Sequence, residues 1–331
     1  MATWPKTLDQ AGITDPALRR DYSEQRQLVA HYARAEYTAV RLLLPAPLVP
    51  DIIAATAFMH HSDDLIDQGP VDERIAALAD WESRVHAALK SGEADEPVLR
   101  TLLDTLARRP QLRQYVEDFL AGAPLEVRTT GFASERDFQH YVDGYSLPAF
   151  LLIACLLGDG APTAPYVAGC RTFIEASQRL DFLNDLAEDL AAGRLGLPEE
   201  LLTRHGLTGS GLTGSGLTGS GSTGKNSTAV DGFRALLGEQ ARQIRAGLVA
   251  SYGLVDLVPA HNRPFVRALI TIQGLTLRAA ARKGTALLHG SARPQLAAAL
   301  RVLVREYAAA RRGRGTGPVA GGTAPRADEK A

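Results

Sequence analysis

The stretch Asp181-Phe182-Leu183-Asn184-Asp185-Leu186-Ala187-Glu188-Asp189 repeats aspartate at intervals of four residues. Because four residues span about one helical turn, Asp181, Asp185 and Asp189 share one face of a predicted α-helix. Like charges at this spacing destabilise an isolated helix by roughly 0.2–0.5 kcal/mol per pair. A chain that carries this pattern is therefore predicted to hold cations at that face.

A second acidic cluster, Asp63-Asp64-Leu65-Ile66-Asp67, has the same helical spacing between Asp63 and Asp67. Hard divalent ions such as Mg²⁺ bind carboxylate oxygens, retain several waters and complete their shell with substrate phosphates. Two such helices facing each other predict a metal-bridged diphosphate site inside a helical bundle.

Alanine, leucine and arginine dominate the chain, and few stretches alternate with the period of a strand, so the predicted fold class is all-α. The predicted helices include 51–67, with Asp51 as its N-cap, 135–157 and 164–192. With 331 residues, the chain is long enough for one large core, and we expect a single domain over residues 1–312.

Tandem Gly-Leu-Thr-Gly-Ser repeats begin at Gly206 and predict a flexible low-complexity loop over 206–228. The loop is either a neutral insertion or a flap beside the site, and the first is favoured because surface loops tolerate insertion cheaply. Residues 313–331, rich in Gly, Arg, Ala and Pro, predict a disordered tail.

The balance of 36 Lys+Arg against 37 Asp+Glu argues against a nucleic-acid-binding protein. The N-terminus lacks the layout of a signal peptide, and no apolar run is long enough for a stable membrane insertion. Cys155 and Cys170 lie in apolar helical stretches, which indicates buried thiols in a reducing, cytoplasmic compartment.

The segments Phe58-Met59-His60-His61-Ser62-Asp63-Asp64-Leu65-Ile66-Asp67 and Gln178–Asp189, followed by Gly193-Arg194 and Leu197-Pro198, resemble the aspartate-rich regions of squalene and phytoene synthases. The resemblance covers roughly residues 28–290 and implies an all-α isoprenoid synthase fold with a central cavity. It implies that Mg²⁺, or Mn²⁺ in its place, binds Asp63 and Asp67 from one side and Asp185 and Asp189 from the other. The ions would bind the diphosphate of an allylic substrate and stabilise it as a leaving group.

The chain departs from the family pattern at several positions. His60 stands where the family has Arg, Asp181 replaces Asn, and Asn184 replaces Arg. A small-residue stretch reads Leu147-Pro148-Ala149-Phe150, which is expected to shorten a prenyl tunnel. These departures are more similar to the phytoene-synthase-like prenyltransferases of bacterial secondary metabolism, which attach a short prenyl unit to an aromatic acceptor such as a carbazole.

The candidate site residues follow from the motifs and the resemblance. Catalytic roles are predicted for His60, Tyr141 and Asp181, and substrate-binding roles for Tyr37, Phe150, Gln178, Asn184, Arg194, Arg278 and Arg282. Arg278 and Arg282 are one turn apart, which suits bidentate phosphate contacts, although a solvated face explains them equally well. Zinc is not expected, because adjacent histidines on a helix diverge.

The first functional prediction is transfer of a short prenyl group, such as dimethylallyl, to an aromatic small molecule. The alternatives are head-to-head coupling of two prenyl diphosphates, cyclisation by a class I terpene cyclase, and a non-catalytic helical scaffold or lipid-binding protein. The partners expected for the first prediction are a prenyl diphosphate and an aromatic acceptor. A homodimer is compatible with the sequence.

Overall fold

The structure is a computed structural model that describes residues 2–67, 69–213 and 224–315, with the backbone alone described at 67, 213, 224–227 and 313–315. The predicted all-α class is confirmed. Over the described ranges the chain is almost entirely helical, and pairing between extended segments is limited to an isolated bridge between Gly131 and Leu195.

Sixteen α-helices are described, and shorter turns connect several of them. They are α1 (Trp4–Gln10), α2 (Pro16–Tyr32), α3 (Arg34–Leu43), α4 (Val49–Asp67), α5 (Val71–Ser91), α6 (Pro97–Arg108), α7 (Leu112–Arg128), α8 (Glu135–Tyr141), α9 (Leu147–Ala154), α10 (Ala164–Asn184), α11 (Leu186–Ala191), α12 (Glu199–Arg204), α13 (Gly209–Thr213), α14 (Gly224–Ala250), α15 (Arg263–Lys283) and α16 (Leu296–Gly315).

The helices enclose one large apolar core, in which Tyr22, Phe58, Trp81 and Phe119 are fully buried. Helix α4, which carries the first acidic cluster, packs against α2, α5, α6 and α9. Helix α10, which carries the second, packs against α9, α14 and α15. Each acidic cluster therefore lies at the end of a helix whose position is fixed by several neighbouring helices.

The predicted start of the first acidic helix was wrong. The helix begins at Val49, and Asp51 lies inside its first turn instead of capping it. The Asp51 carboxylate is buried and accepts hydrogen bonds from Arg108 at 2.7 Å and Arg109 at 3.0 Å. Asp51 therefore ties α4 to the C-terminal end of α6.

The predicted helix 135–157 is interrupted. Between α8 and α9, residues Val142–Ser146 form a turn of π-helix. Pro148 has no N–H and cannot donate to the carbonyl group one turn earlier, so the backbone widens in front of it. The predicted helix 164–192 is also divided, because α10 ends at Asn184 and α11 begins at Leu186.

Parts of the predicted loop 206–228 are helical in the structure. Gly209–Thr213 is helical, α14 begins at Gly224, and Leu207 and Leu212 are buried in a small apolar cluster. The repeat residues 214–223 lie outside the described residues, as does the predicted tail from residue 316 onward.

The π-helical turn packs against α7 through two glycines. A Cβ atom on Gly122 would lie 2.1 Å from the carbonyl oxygen of Gly144, which belongs to the backbone and has little room to move. We expect Gly122→Ala to lower the free energy of unfolding by about 3 kcal/mol because of this overpacking. Gly274→Ala in α15 is the control, since nothing lies within 4 Å of a Cβ there.

Thermal denaturation of the two variants tests this packing. Gly274→Ala is expected to melt at or slightly above the wild-type temperature, because alanine favours a helix interior. Equal melting temperatures for Gly122→Ala and Gly274→Ala would contradict the close packing of α7 on the π-helical turn.

Candidate active site

The second acidic cluster opens onto a cavity of about 250 Å³ between α7, α8, α10 and the segment that follows α11. The residues that line it are Glu126, Thr129, Thr130, Gly131, Phe132, Tyr141, Gln178, Asp181, Phe182, Asp185, Glu188, Asp189, Arg194, Leu195 and Gly196. Five of these side chains are carboxylates, whereas Arg194 is the one Lys or Arg among them. This composition gives the cavity a strong negative charge.

Asp185 lies at the break between α10 and α11. Its backbone carbonyl accepts the N–H groups of Glu188 and Asp189, both at 2.9 Å, and the helix resumes from there. Burial raises the pKa of the Asp185 carboxyl, and the charges of Asp189 and Glu188 raise it further. Carboxylates crowded in this way are destabilised in their charged form unless a cation lies among them.

Asp189 is buried and paired with Arg194, whose Nη2 donates to the Asp189 carboxylate at 3.0 Å. The Arg194 N–H also donates to the Asp189 carbonyl at 2.8 Å. Burial raises the pKa of Asp189, and Arg194 acts in the opposite direction. The guanidinium is half exposed and lines the cavity, so it remains available to an anion bound there.

Asp181 is exposed to the cavity, but the surrounding protein restricts its hydration. This desolvation and the charge of Asp185 raise the pKa of Asp181 from 3.8 to about 7. A folded-state pKa above the unfolded value means that the folded protein binds the extra proton. In the absence of divalent ions, the charged form of Asp181 therefore reduces stability progressively as pH rises from about 4 to about 7.

We expect Asp181→Asn to raise the melting temperature relative to wild type at pH 8 in EDTA, and to change it little at pH 4. The amide cannot ionise, so it avoids the loss of stability across that pH window. Thermal melts of both proteins at pH 4, 6 and 8 measure the difference. A difference that is the same at every pH would show that Asp181 is not held with a raised pKa.

Two tyrosines connect the first acidic cluster to this region: Tyr141, the last residue of α8, and Tyr145, in the π-helical turn. The Tyr145 hydroxyl donates to Asp63 at 2.9 Å, and the Tyr141 hydroxyl donates to Glu126. The two tyrosine rings lie 5.6 Å apart, and Tyr141 lines the cavity. Burial, followed by the nearby carboxylates, holds the pKa of both hydroxyls well above the ordinary value, so they act as donors.

Aromatic rings form a continuous series between the two acidic helices. Phe119 stacks on Tyr145 at 6.0 Å, Tyr145 lies next to Tyr141, and the Tyr141 ring lies 5.8 Å from Phe182. Phe58 of α4 extends the series beyond Phe119 at 6.1 Å. Since Phe182 follows Asp181 directly, these ring contacts extend from α4 to the second carboxylate cluster.

Gln178, predicted to bind substrate, lines the cavity, and its Oε1 accepts a hydrogen bond from the Ser146 hydroxyl at 3.0 Å. This bond connects α10 to the end of the π-helical turn. Gln178 therefore joins Tyr141, Asp181, Asp185, Asp189 and Arg194 as predicted residues that the structure brings together.

Other predicted residues lie elsewhere. The His60 ring stacks on Tyr32 at 6.1 Å, and burial lowers the pKa of His60. The Asn184 side-chain oxygen accepts the N–H of Ala292 at 2.7 Å, an interaction that fixes the segment before α16. Phe150 packs on Phe173 at 5.3 Å. His60, Asn184 and Phe150 are therefore not among the residues that line this cavity in the described part of the chain.

Tyr37 is half-buried against the main core, and Arg278 and Arg282 lie on an exposed face of α15. None of the three is among the cavity-lining residues in the described part of the chain. The side chain of Asp67, a predicted metal ligand, lies outside the described residues.

The sequence-based expectation for Leu147 and Pro148 also changes. Both line a separate groove together with Asp118 and Ala121 of α7. Tyr145, two residues before Leu147, is the residue whose side chain contacts an acidic cluster, through its hydrogen bond to Asp63.

Glu126 and Glu188 were not predicted from the sequence to be site residues. Both line the cavity, and Glu126 also accepts the hydrogen bond from Tyr141. A signal for Glu126 was present, since it is a lone carboxylate between Ala123 and Val127, which are both buried. A carboxylate in such surroundings needs a partner or a function.

The chemistry of the donors fits a hard divalent ion. Carboxylate oxygens are the available ligands at the cavity, which suits Mg²⁺ or Mn²⁺ better than a softer metal. Across the ranges the structure describes, no three Asp, Glu, His or Cys side chains converge into a ready-made metal cage. Mg²⁺ does not require such a cage, because waters and substrate phosphates supply most of its shell.

Several known proteins are similar to this chain in sequence. The family model for squalene/phytoene synthase matches residues 29–301. The bifunctional protein CrtB/UppS of Streptomyces coelicolor is 31% identical over 197 residues, which cover 59% of this chain and 34% of that protein. The 15-cis-phytoene synthase of Synechococcus elongatus is 28% identical over 200 residues, covering 57% of this chain and 64% of that protein. The match thus spans about a third to two thirds of these relatives.

Solved structures share the fold. A dehydrosqualene synthase superposes with a TM-score of 0.74 at 20% identity, over 89% of this chain and 98% of that one. The squalene synthase HpnC from Alicyclobacillus acidocaldarius gives a TM-score of 0.70 at 23% identity, over 83% and 98% of the two chains. The family match over residues 29–301, most of its length, shows that this chain is a member of the squalene/phytoene synthase family.

Proposed function

We propose that the chain is a divalent-metal-dependent prenyltransferase that ionises an allylic diphosphate and transfers its prenyl group to an aromatic small molecule. Family membership supports the class of reaction, since squalene/phytoene synthases are prenyltransferases. The series of aromatic rings between the two carboxylate clusters is the observation that carries the proposal.

The carboxylates of Asp185 and Asp189, with Asp63 and Asp67 on the first helix, would hold Mg²⁺ or Mn²⁺. When bound, the metal supplies positive charge that neutralises the departing diphosphate. Arg194 lies beside Asp189 with half its side chain exposed, so its guanidinium is placed to contact the same diphosphate.

Departure of the diphosphate leaves an allylic cation, which needs neighbours that stabilise positive charge without attacking it. The faces of Tyr141 and Tyr145 meet this need through cation–π attraction. Their hydroxyls are engaged with Glu126 and Asp63, and their raised pKa values keep them protonated and weakly nucleophilic. The hydrogen bonds therefore fix the orientation of the two rings. They also keep the hydroxyl oxygens from attacking the cation.

A flat aromatic acceptor can stack on Tyr141, which lines the cavity next to Phe132 and Phe182. Attack of its ring on the cation forms a carbon–carbon bond and leaves a proton to be removed from the alkylated ring. Asp181 is the proposed acceptor of that proton, because its carboxylate lines the same cavity. His60 is less suited, since its ring packs on Tyr32.

A short donor, dimethylallyl diphosphate, fits the proposal best. The Tyr145 hydroxyl donates to Asp63, and the Phe119 ring stacks on the Tyr145 ring. This leaves less room for a long prenyl chain beside the first acidic cluster. The buried thiols of Cys155 and Cys170 suit a reducing, cytoplasmic setting, and the product class would place the enzyme in secondary metabolism.

Head-to-head coupling of two prenyl diphosphates is the second candidate. The observation that favours it is the identity of the relatives, which include a presqualene diphosphate synthase from Rhodopseudomonas palustris and several phytoene synthases. In that case the second chain would occupy the space assigned here to the aromatic acceptor.

Incubation with dimethylallyl, geranyl, farnesyl and geranylgeranyl diphosphates, each with and without a carbazole, separates the candidates. Mass spectrometry is expected to detect a prenylated carbazole from dimethylallyl diphosphate, dependent on Mg²⁺. Formation of a hydrocarbon or a cyclopropyl diphosphate from the long donors alone, with dimethylallyl diphosphate unconsumed, would overturn the aromatic acceptor in favour of coupling or cyclisation.

A further inference from the structure

Helix α16 carries an apolar stripe on its outer face. Leu296, Leu300 and Val304 recur every four residues and are 74%, 49% and 67% exposed. Single exposed apolar residues are ordinary, but three large ones in a row on one helix face are not. The opposite face, with Val302 and Ala310, is buried against the protein, so the exposed stripe is not needed for the core.

The stripe continues into a basic groove. On the same helix face, Tyr307 and Arg311 follow Val304 at helical spacing, and both line a groove of about 660 Å³ between α16, α1 and α3. Lys6 and Arg41 line the same groove, and no carboxylate of the described residues does. The stripe and the groove form one continuous surface, which we call the α16 face.

The cations of the groove are not neutralised within the described part of the chain. Arg41 donates to the Thr7 hydroxyl at 2.9 Å and to the Ala2 carbonyl at 2.7 Å, which are neutral acceptors. No ion pair involves Lys6, Arg41 or Arg311 among the described residues. Arg26 adds to the positive charge, since its guanidinium and that of Arg41 both lie over the Trp4 ring, at 5.3 and 5.5 Å.

Charge decides what can cover this face. From Leu296 to Arg312, the helix contains one acidic residue, Glu306, which is buried and paired with Arg267 and Arg305. The exposed flank instead carries Arg301 and Arg312. A second copy packed symmetrically on α16 would bring these cations against one another. A surface with negative charges outside and an apolar interior would complement both the arginines and the apolar stripe of this face.

We propose that the α16 face docks onto the surface of an anionic phospholipid bilayer. Leu296, Leu300 and Val304 would enter the boundary between head groups and acyl chains, and Lys6, Arg41 and Arg311 would contact lipid phosphates. The helix lies along the surface and does not cross it. This agrees with the finding that no helix of the described chain has the length and hydrophobicity to span a membrane. The inference is independent of the proposed reaction.

Vesicle flotation with the full chain tests the proposal, using phosphatidylcholine vesicles with and without phosphatidylglycerol. The stripe variant combines Leu300→Ser with Val304→Ser, and the groove variant combines Lys6→Glu with Arg311→Glu. The matched control combines Val249→Ser with Arg245→Glu on α14, where Val249 is 65% exposed and Arg245 is also exposed. Circular dichroism melts verify that all variants fold, and Lys6→Arg serves as the conservative groove variant.

The wild type, the control and Lys6→Arg are expected to float with vesicles that contain phosphatidylglycerol, and added salt is expected to release them. The stripe and groove variants should each bind at least about tenfold more weakly. Equal binding by all variants, or binding that ignores phosphatidylglycerol, would overturn the proposal. So would stripe-dependent dimerisation in sedimentation velocity without vesicle binding, or groove-dependent binding of inorganic phosphate without vesicle binding.

Discussion

Asp185→Asn is expected to lower kcat/KM for the allylic diphosphate by about 10²–10³-fold, the effect of removing one strong electrostatic contact to a charged transition state. Asp185 lies at the break between α10 and α11, with its carboxylate on the cavity beside Glu188 and Asp189. The amide retains the shape of the side chain but removes the charge that would hold a divalent ion. Steady-state release of diphosphate measures the loss.

Stability provides a separate check on this variant. The backbone carbonyl of Asp185 continues to accept the N–H groups of Glu188 and Asp189, and the substitution relieves a carboxylate whose pKa is raised by burial and by those neighbours. The metal-free variant should therefore melt no lower than wild type. Asp159→Asn, at an exposed loop position, is the matched control and should keep full activity. Wild-type turnover by folded Asp185→Asn would refute the site.

Asp51→Ala is expected to lower the free energy of unfolding by about 3 kcal/mol, because it removes a buried carboxylate that pairs with two partly buried arginines. Asp51 is 1% exposed and accepts hydrogen bonds from Arg108 at 2.7 Å and Arg109 at 3.0 Å. Arg108 also contacts Asp104 and the Tyr22 hydroxyl, so the loss affects a network that joins α2, α4 and α6. Urea denaturation followed by circular dichroism measures it.

Asp80→Ala is the control for that experiment. Asp80 pairs with Arg84 at 3.0 Å, but its side chain is 70% exposed, and such pairs contribute less than about 1 kcal/mol. Similar losses for the two variants would mean that burial does not govern the strength of the Asp51 network.

Helical periodicity was sufficient to predict the fold class, because the carboxylate spacing and the apolar residues between the carboxylates require the same helices. It could not place helix boundaries that depend on the tertiary structure. Asp51 has the residue type of an N-cap, yet its carboxylate pairs with Arg108, more than fifty residues away, and the helix begins two residues earlier, at Val49. The π-helical turn likewise depends on packing between Gly122 and Gly144 as well as on Pro148.

Helical spacing was sufficient to predict that Gln178, Asp181, Asp185 and Asp189 lie close together, and all four line the cavity. Spacing alone could not predict which neighbours a side chain contacts on another helix. His60 is one turn before Asp63 and Asp64, but its ring packs on Tyr32. Residues contributed by a third element, such as Glu126, need the folded arrangement to bring them to the cavity.

A crystal structure with Mg²⁺ and the unreactive thiolo analogue of dimethylallyl diphosphate tests the central claim most directly. The claim is that the two acidic helices bind one diphosphate through shared metal ions beside the tyrosine pair. The expected density shows metal ions between the diphosphate and the carboxylates of Asp63, Asp67, Asp185 and Asp189, with the prenyl group against Tyr141 and Tyr145. Density for the diphosphate outside this cavity, or bound without contact to either acidic cluster, would contradict the claim.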